Sequence, residues 1–264
     1  MPFPDVERVV YGRNPLDQVI TQFQFPPILR IDAASPADFQ DQVREFFPAY
    51  AESSELSFQF PVEVEGESPS PLTFQLPQSL ATKNHAFASE DGIWKINLTR
   101  TFMALSTKDY SRWDDFKDKL AIPLDALNAT YSPASYSRIG LRYINVICQS
   151  MVEMKDQPWI ELIKPHILGM MAAPQIGLNV RKFQSRFEVE LSDGESLARI
   201  RTGFVQSKDT GEICYRLDND LFYGKKIDIG EAADKLKYLH NRSRRLFRWS
   251  ITDRLHEAME PVQA

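Results

Sequence analysis

Arg138, Arg142, Arg186, Arg199, Arg201 and Arg216 fall in runs that alternate between apolar and polar residues, with Glu188, Glu190 and Asp218 at neighbouring alternate positions. Residues two apart in a strand share a face. If these runs are strands of one curved sheet, the six guanidiniums therefore line its polar side. The planar fork of arginine matches phosphate and carboxylate oxygens in bidentate fashion, so such a face could hold an anionic small ligand, a nucleotide or an acidic peptide. An enzyme or sensor built this way would have Glu188 and Glu190 to hold Mg²⁺. The same residue types also satisfy a plainer reading, cross-strand ion pairing on a solvated face.

Other chemistry is sparse. His240 sits near the middle of an apolar arc without a serine or cysteine nucleophile motif, and is expected to be a hydrogen-bonded core residue. His85, His166 and His256 are scattered, with no HExxH or HxH, so no metal is expected. Gly203, Gly211 and Gly224 stand alone, and neither GxxxxGK[ST] nor GxGxxG occurs, so no phosphate cradle or nucleotide cofactor is expected. Asp218-Asn219-Asp220 reads as turn chemistry. Glu63-Val64-Glu65 and Glu188-Val189-Glu190 pair carboxylates as a tunnel-shaped triphosphate hydrolase would, but the lysine that completes such a motif two residues on is missing in both.

The run Ser137 to Ile147 contains Arg138-Ile139-Gly140-Leu141-Arg142-Tyr143-Ile144-Asn145. With the opening Tyr11-Gly12-Arg13-Asn14-Pro15-Leu16, and the closing Leu239-His240 and Phe247-Arg248-Trp249-Ser250-Ile251-Thr252-Asp253, it resembles a sporadically distributed family of bacterial proteins of this length. The recurrent core of that family reads Arg-x-Gly-Leu-Arg-Tyr-x-Asn. The resemblance spans nearly the whole chain and carries no reaction with it. A sporadic distribution implies genes exchanged on mobile elements, hence a role in antiphage defence or a toxin-linked system, with a partner protein encoded nearby.

Several elements must position these residues. Val19 to Phe25 reads as a strand stopped by Pro26-Pro27. Ser35-Pro36 reads as the start of a helix running to Pro48. Leu56 to Val64 alternates as a strand, and Glu65 to Gln78 reads as a loop. Ile93 to Ser106 reads as one long strand, followed by a helix from Trp113 to Leu127 interrupted at Pro123. The segment from Pro158 to Pro174 reads as a short helix and loop. Runs around Phe187, Ile200 and Tyr215 read as antiparallel hairpins. Glu231 to Met259 reads as one long helix with an apolar arc. Gly140 either leaves room for packing or admits a ligand, and Asn145 is expected to be a buried amide.

Helices segregated from an antiparallel sheet define the α+β class: a curved, mainly antiparallel sheet with helices packed on one side. The 264 residues suit a single domain, in which 1–150 and 151–264 could be pseudo-repeat halves.

The net charge of -5 argues against bulk nucleic-acid binding. Arg242, Arg245 and Arg248 spread around the terminal helix instead of forming one phosphate-facing stripe. Trp249, lying away from the apolar arc among them, marks a candidate surface for a protein partner, or else packs under a loop of its own chain. Cys148 and Cys214 lie far apart with no CxxC neighbour, which disfavours a disulfide scaffold and fits a reducing cytoplasm. No signal peptide or membrane-spanning run is apparent. The reading is a cytoplasmic, non-catalytic binding or interaction protein, with a nucleotide- or phosphate-ligand site on the arginine face as the alternative.

Overall fold

A computed structural model describes residues 3–53, 83–177 and 179–263. The expected strand Leu56 to Val64 and loop Glu65 to Gln78, with Glu63-Val64-Glu65, lie outside the described residues.

The strands are β1 (Val9–Tyr11), β2 (Leu16–Gln24), β3 (Ala49–Ser53), β4 (Asn84–Ala88), β5 (Trp94–Thr99), β6 (Phe102–Thr107), β7 (Arg138–Ile147), β8 (Gln184–Glu190), β9 (Ser196–Gln206), β10 (Ile213–Tyr223) and β11 (Pro261–Gln263). The helices are α1 (Arg30–Ala33), α2 (Ala37–Val43), α3 (Trp113–Tyr131), α4 (Pro165–Leu168), α5 (Pro174–Gly177), α6 (Ala232–Ser250) and α7 (Asp253–Ala258). Among the described residues, nine strands form an open antiparallel sheet in the order β3-β4-β5-β6-β2-β7-β10-β9-β8, while β1 pairs with β11. The class is α+β, as the alternation of the strands and the separate helical periods require.

Two compact units interleave in sequence. The first takes Met1–Asp17, Arg142–Leu221 and Lys237–Ala264; the second takes Gln18–Leu141 and Phe222–Leu236.

In the second unit, β2 pairs with β6 from Val19↔Thr107 to Gln24↔Phe102, and β6, β5, β4 and β3 continue as antiparallel neighbours. The expected strand over Ile93 to Ser106 is corrected to the hairpin β5–β6. Its turn lacks glycine and asparagine, but Thr99 Oγ1 accepts from the amides of Thr101 and Phe102, giving the backbone a local partner in place of a ladder bond. The expected interruption at Pro123 is also corrected: α3 runs through it. Phe116, Leu120, Pro123 and Leu127 are all buried, and that apolar face carries the helix past the hydrogen bond that proline removes. Phe39 of α2 meets Phe87 at 5.3 Å and Phe116 of α3 meets Trp94 at 5.7 Å, which seats both helices on the sheet. The helix expected to reach Pro48 ends at Val43.

In the first unit, β8 and β9 pair from Gln184↔Gly203 to Glu190↔Leu197. Leu239, Ser243 and Leu246 of α6 are buried, and Tyr143 Oη lies 2.8 Å from His240 Nδ1, so that helix covers the apolar face on which Tyr143 stands. The single helix expected over Glu231 to Met259 is corrected to α6 and α7. Ser250 Oγ donates to Leu246 O at 2.7 Å, Ile251 bridges to Ile163, and Thr252 Oγ1 accepts from the Leu255 amide to start the new helix. After α7 the chain returns as β11 beside β1, with Gly12 N donating to Glu260 O and Arg13 N to Met259 O, both at 3.0 Å. No described helix is long and apolar enough to cross a membrane.

Candidate functional site

Five of the six arginines meet on one face of the first unit, and they arrive there with carboxylates. Arg142 makes a bidentate pair with Asp218, Nε to Oδ1 at 2.7 Å and Nη2 to Oδ2 at 2.6 Å. Burial works against the Arg142 charge, but that pair outweighs it and raises its pKa. Arg201 Nη1 reaches the same carboxylate at 3.4 Å, while Arg199 pairs with Glu188 at 2.8 Å and approaches Asp220 at 3.7 Å. Arg186 stands opposite Arg201 in the β8–β9 register, and Glu190 lies two residues from Glu188 on the same side. Four carboxylates therefore accompany the five guanidiniums. Arg216 differs in that its Nε is buried without a hydrogen-bond partner, and burial pulls its pKa down as it does that of Arg201.

Arg138 belongs to the second unit. It lies over the Phe222 ring at 4.6 Å and donates to Gln22 Oε1 at 3.0 Å. A Cβ on Gly140 would stand 2.4 Å from Arg138 Nη1, so the glycine makes room for that guanidinium. Asn145 is buried, with Nδ2 3.4 Å from Leu217 O.

The terminal-helix residues are engaged within the chain. Arg242 lies over Tyr238 at 4.8 Å, Arg245 pairs with Asp5 at 2.7 Å, and Arg248 pairs with Asp253. Trp249 packs against Phe3 at 5.4 Å and His166 at 3.9 Å between ring centres.

A cavity of about 730 Å³ opens in the first unit, walled by Trp159, Phe204, Met171, Ile160, Ile213 and Val180. Its polar groups are few: Gln149, Gln157, Asp156 and Arg181. Trp159 lies 5.8 Å from Phe204 and 5.5 Å from Tyr215, and Phe183 closes the group at 6.1 Å from both. Burial pushes the Tyr215 hydroxyl up to about 12, so it stays protonated near neutrality. A Cβ on Gly203 would meet Phe183 O at 2.6 Å, so only glycine lets Phe183 approach β9 this closely. Ile160 and Ile213 remain 38% and 49% exposed at the rim, an apolar edge open to an incoming molecule.

Cys148 and Cys214 are joined by a disulfide, which corrects the expectation drawn from their spacing. They are 66 residues apart in sequence, but β10 lies beside β7 in the sheet and their Cα atoms are 4.4 Å apart. Their neighbours Gln149 and Ile213 line the cavity, so the bridge fixes part of its wall. Glu212 gathers with both sulfurs within 4.8 Å. The disulfide leaves no thiolate there, and Ser150 holds the carboxylate through its amide at 2.9 Å and its hydroxyl. Burial opposes the Glu212 charge, but the Ser150 bonds prevail and lower its pKa.

The sequence offered no sign of this cavity. Trp159, Phe183, Phe204 and Tyr215 come from four separate segments, and no local spacing links them. No family model matches the chain, and a search of curated proteins returns no match.

Proposed function

We propose that this chain acts by binding, and that its site is the aromatic-walled cavity of the first unit, which takes a small organic molecule with a flat apolar body. The observation that carries the reading is the cavity itself. Its volume of about 730 Å³ falls in the range of small-molecule sites, and its wall is apolar with a few polar groups, the usual make-up of such sites. A flat protein partner would instead need about 800 Å² of surface on each side. Trp159 and Phe204 offer faces for stacking, and Arg181 with Gln149 and Gln157 can orient a polar edge of the ligand.

Anilinonaphthalene sulfonate, a flat aromatic anion, is a suitable probe. It should bind the folded protein one to one and quench Trp159. Phe204→Ala should weaken binding about tenfold, equivalent to about 1.4 kcal/mol, while the protein still unfolds cooperatively. Equal binding by wild type and variant would rule out this cavity as the site.

A second reading, an anionic ligand on the arginine face, rests on Arg216. Its buried, unpartnered Nε is a donor that a phosphate oxygen could meet. Nucleotide affinity should fall in Arg216→Gln; no nucleotide binding by the wild type would remove this reading.

A further inference from the structure

A second, smaller cavity of about 310 Å³ lies among the N-terminal segment, β1, α6 and α7, and its lining residues all belong to the first unit. Its wall contrasts with that of the aromatic cavity. Arg244, Phe247 and Arg248 come from one face of α6, spaced three and four residues apart, and Tyr11 and His256 face them. The Tyr11 ring meets Phe247 at 5.8 Å and His256 at 5.5 Å, both nearly edge-on, which holds the polar ends of the pair in place.

The polar groups of the wall are few and mostly donors. Burial, opposed by Arg248, pushes the Tyr11 hydroxyl up to about 12, so it keeps its proton. Among the described residues it meets His256 Nδ1 at 2.9 Å. Burial and the Arg248 charge pull the His256 pKa down, so the ring is neutral near pH 7. Arg244 uses one donor on Val6 O at 2.8 Å and pairs with no described carboxylate. Burial lowers its pKa first, Arg245 and Arg8 add to that, and the opposing Asp5 is already taken by Arg245. Arg248 bonds Asp253 and reaches Ile251 O at 3.5 Å. The wall thus presents guanidinium and imidazole N–H groups, and the lining carboxylate, Glu7, is exposed.

We propose that this cavity is a phosphoryl-binding site, in which Arg244 supplies the uncompensated charge and Arg248 and the His256 ring supply further donors. A phosphoryl group is all acceptor and matches the guanidinium donors of this wall. The cavity leaves room for a small group attached to it. This site is independent of the aromatic cavity, with which it shares no lining residue.

The test is side-chain NMR of the four histidines in the full chain, with the His256 signal assigned through His256→Gln. Adding inorganic phosphate should move the His256 signal saturably while those of His85, His166 and His240 stay in place. Arg244→Gln should weaken the response at least tenfold, and Arg244→Lys, which keeps the charge, should retain part of it. Glycerol phosphate extends the test: tighter binding than inorganic phosphate would identify a phosphate ester as the ligand, and equal binding would identify the phosphoryl group alone. A His256 signal that does not move with phosphate would overturn the proposal. So would a response of full strength in both Arg244 variants, each checked for a native melting profile.

Discussion

Asp218 is the residue on which the arginine face turns. Its side chain is 2% exposed and receives two bonds from Arg142 and one from Arg201. Removing one partner of a buried pair leaves the others uncompensated, so Asp218→Asn should cost roughly 3 kcal/mol in urea unfolding. The cost stays at the low end because Arg142 keeps some access to water. Glu188→Gln breaks a more exposed pair with Arg199 and should cost less than about 1 kcal/mol. Equal effects of the two changes would contradict this picture of the face. The imidazoles give a pH dependence. Burial lowers the pKa of both His166 and His256 from 6.5, with Lys164 adding to it at His166 and Arg248 at His256. The folded chain therefore binds fewer protons at these rings than the unfolded chain. Stability should be full above pH 6.5 and fall as the pH drops through the lowered folded values. Melting temperatures measured across that range should fall less in His166→Gln than in wild type.

At the scale of elements, the sequence was legible where a run is long and its period is clean. The hairpin strands β8, β9 and β10 lie where alternation put them, and the face shared by Arg142, Arg199 and Arg201 followed from it. Boundaries failed where side chains, rather than glycine or proline, make the turn. Thr99 ends a strand inside an apparently continuous alternation, and Thr252 starts a helix inside an apparently continuous arc. Pro123 failed in the opposite sense, because tertiary burial outweighed a local rule. The aromatic cavity was illegible because it depends on which segments the sheet order brings together. Gly203 is where element and cavity meet. Gly203→Ala would force a Cβ against the Phe183 carbonyl, and backbone yields less easily than a side chain. Stability should fall by roughly 1–3 kcal/mol and the cavity should lose affinity for aromatic probes. A variant as stable as wild type would show that Phe183 can move away freely.

At the scale of the whole molecule, distant parts of the chain are joined in the first unit by β1–β11 pairing, by Arg13 between Glu153 and Glu260, and by the disulfide. A bridge that closes a loop of 66 residues restricts the unfolded chain, so Cys148→Ser should lower stability by about 2–4 kcal/mol. Treatment with a dithiol reductant should destabilise wild type and leave Cys148→Ser unchanged. The central claim, that the chain works by taking a flat apolar molecule into the cavity of Trp159 and Phe204, is tested most directly by locating such a molecule. Crystals soaked in 4-iodobenzoate should give an anomalous iodine peak between those two rings, with the carboxylate toward Arg181 or the glutamines. An empty cavity in crystals where iodine binds elsewhere would contradict the account.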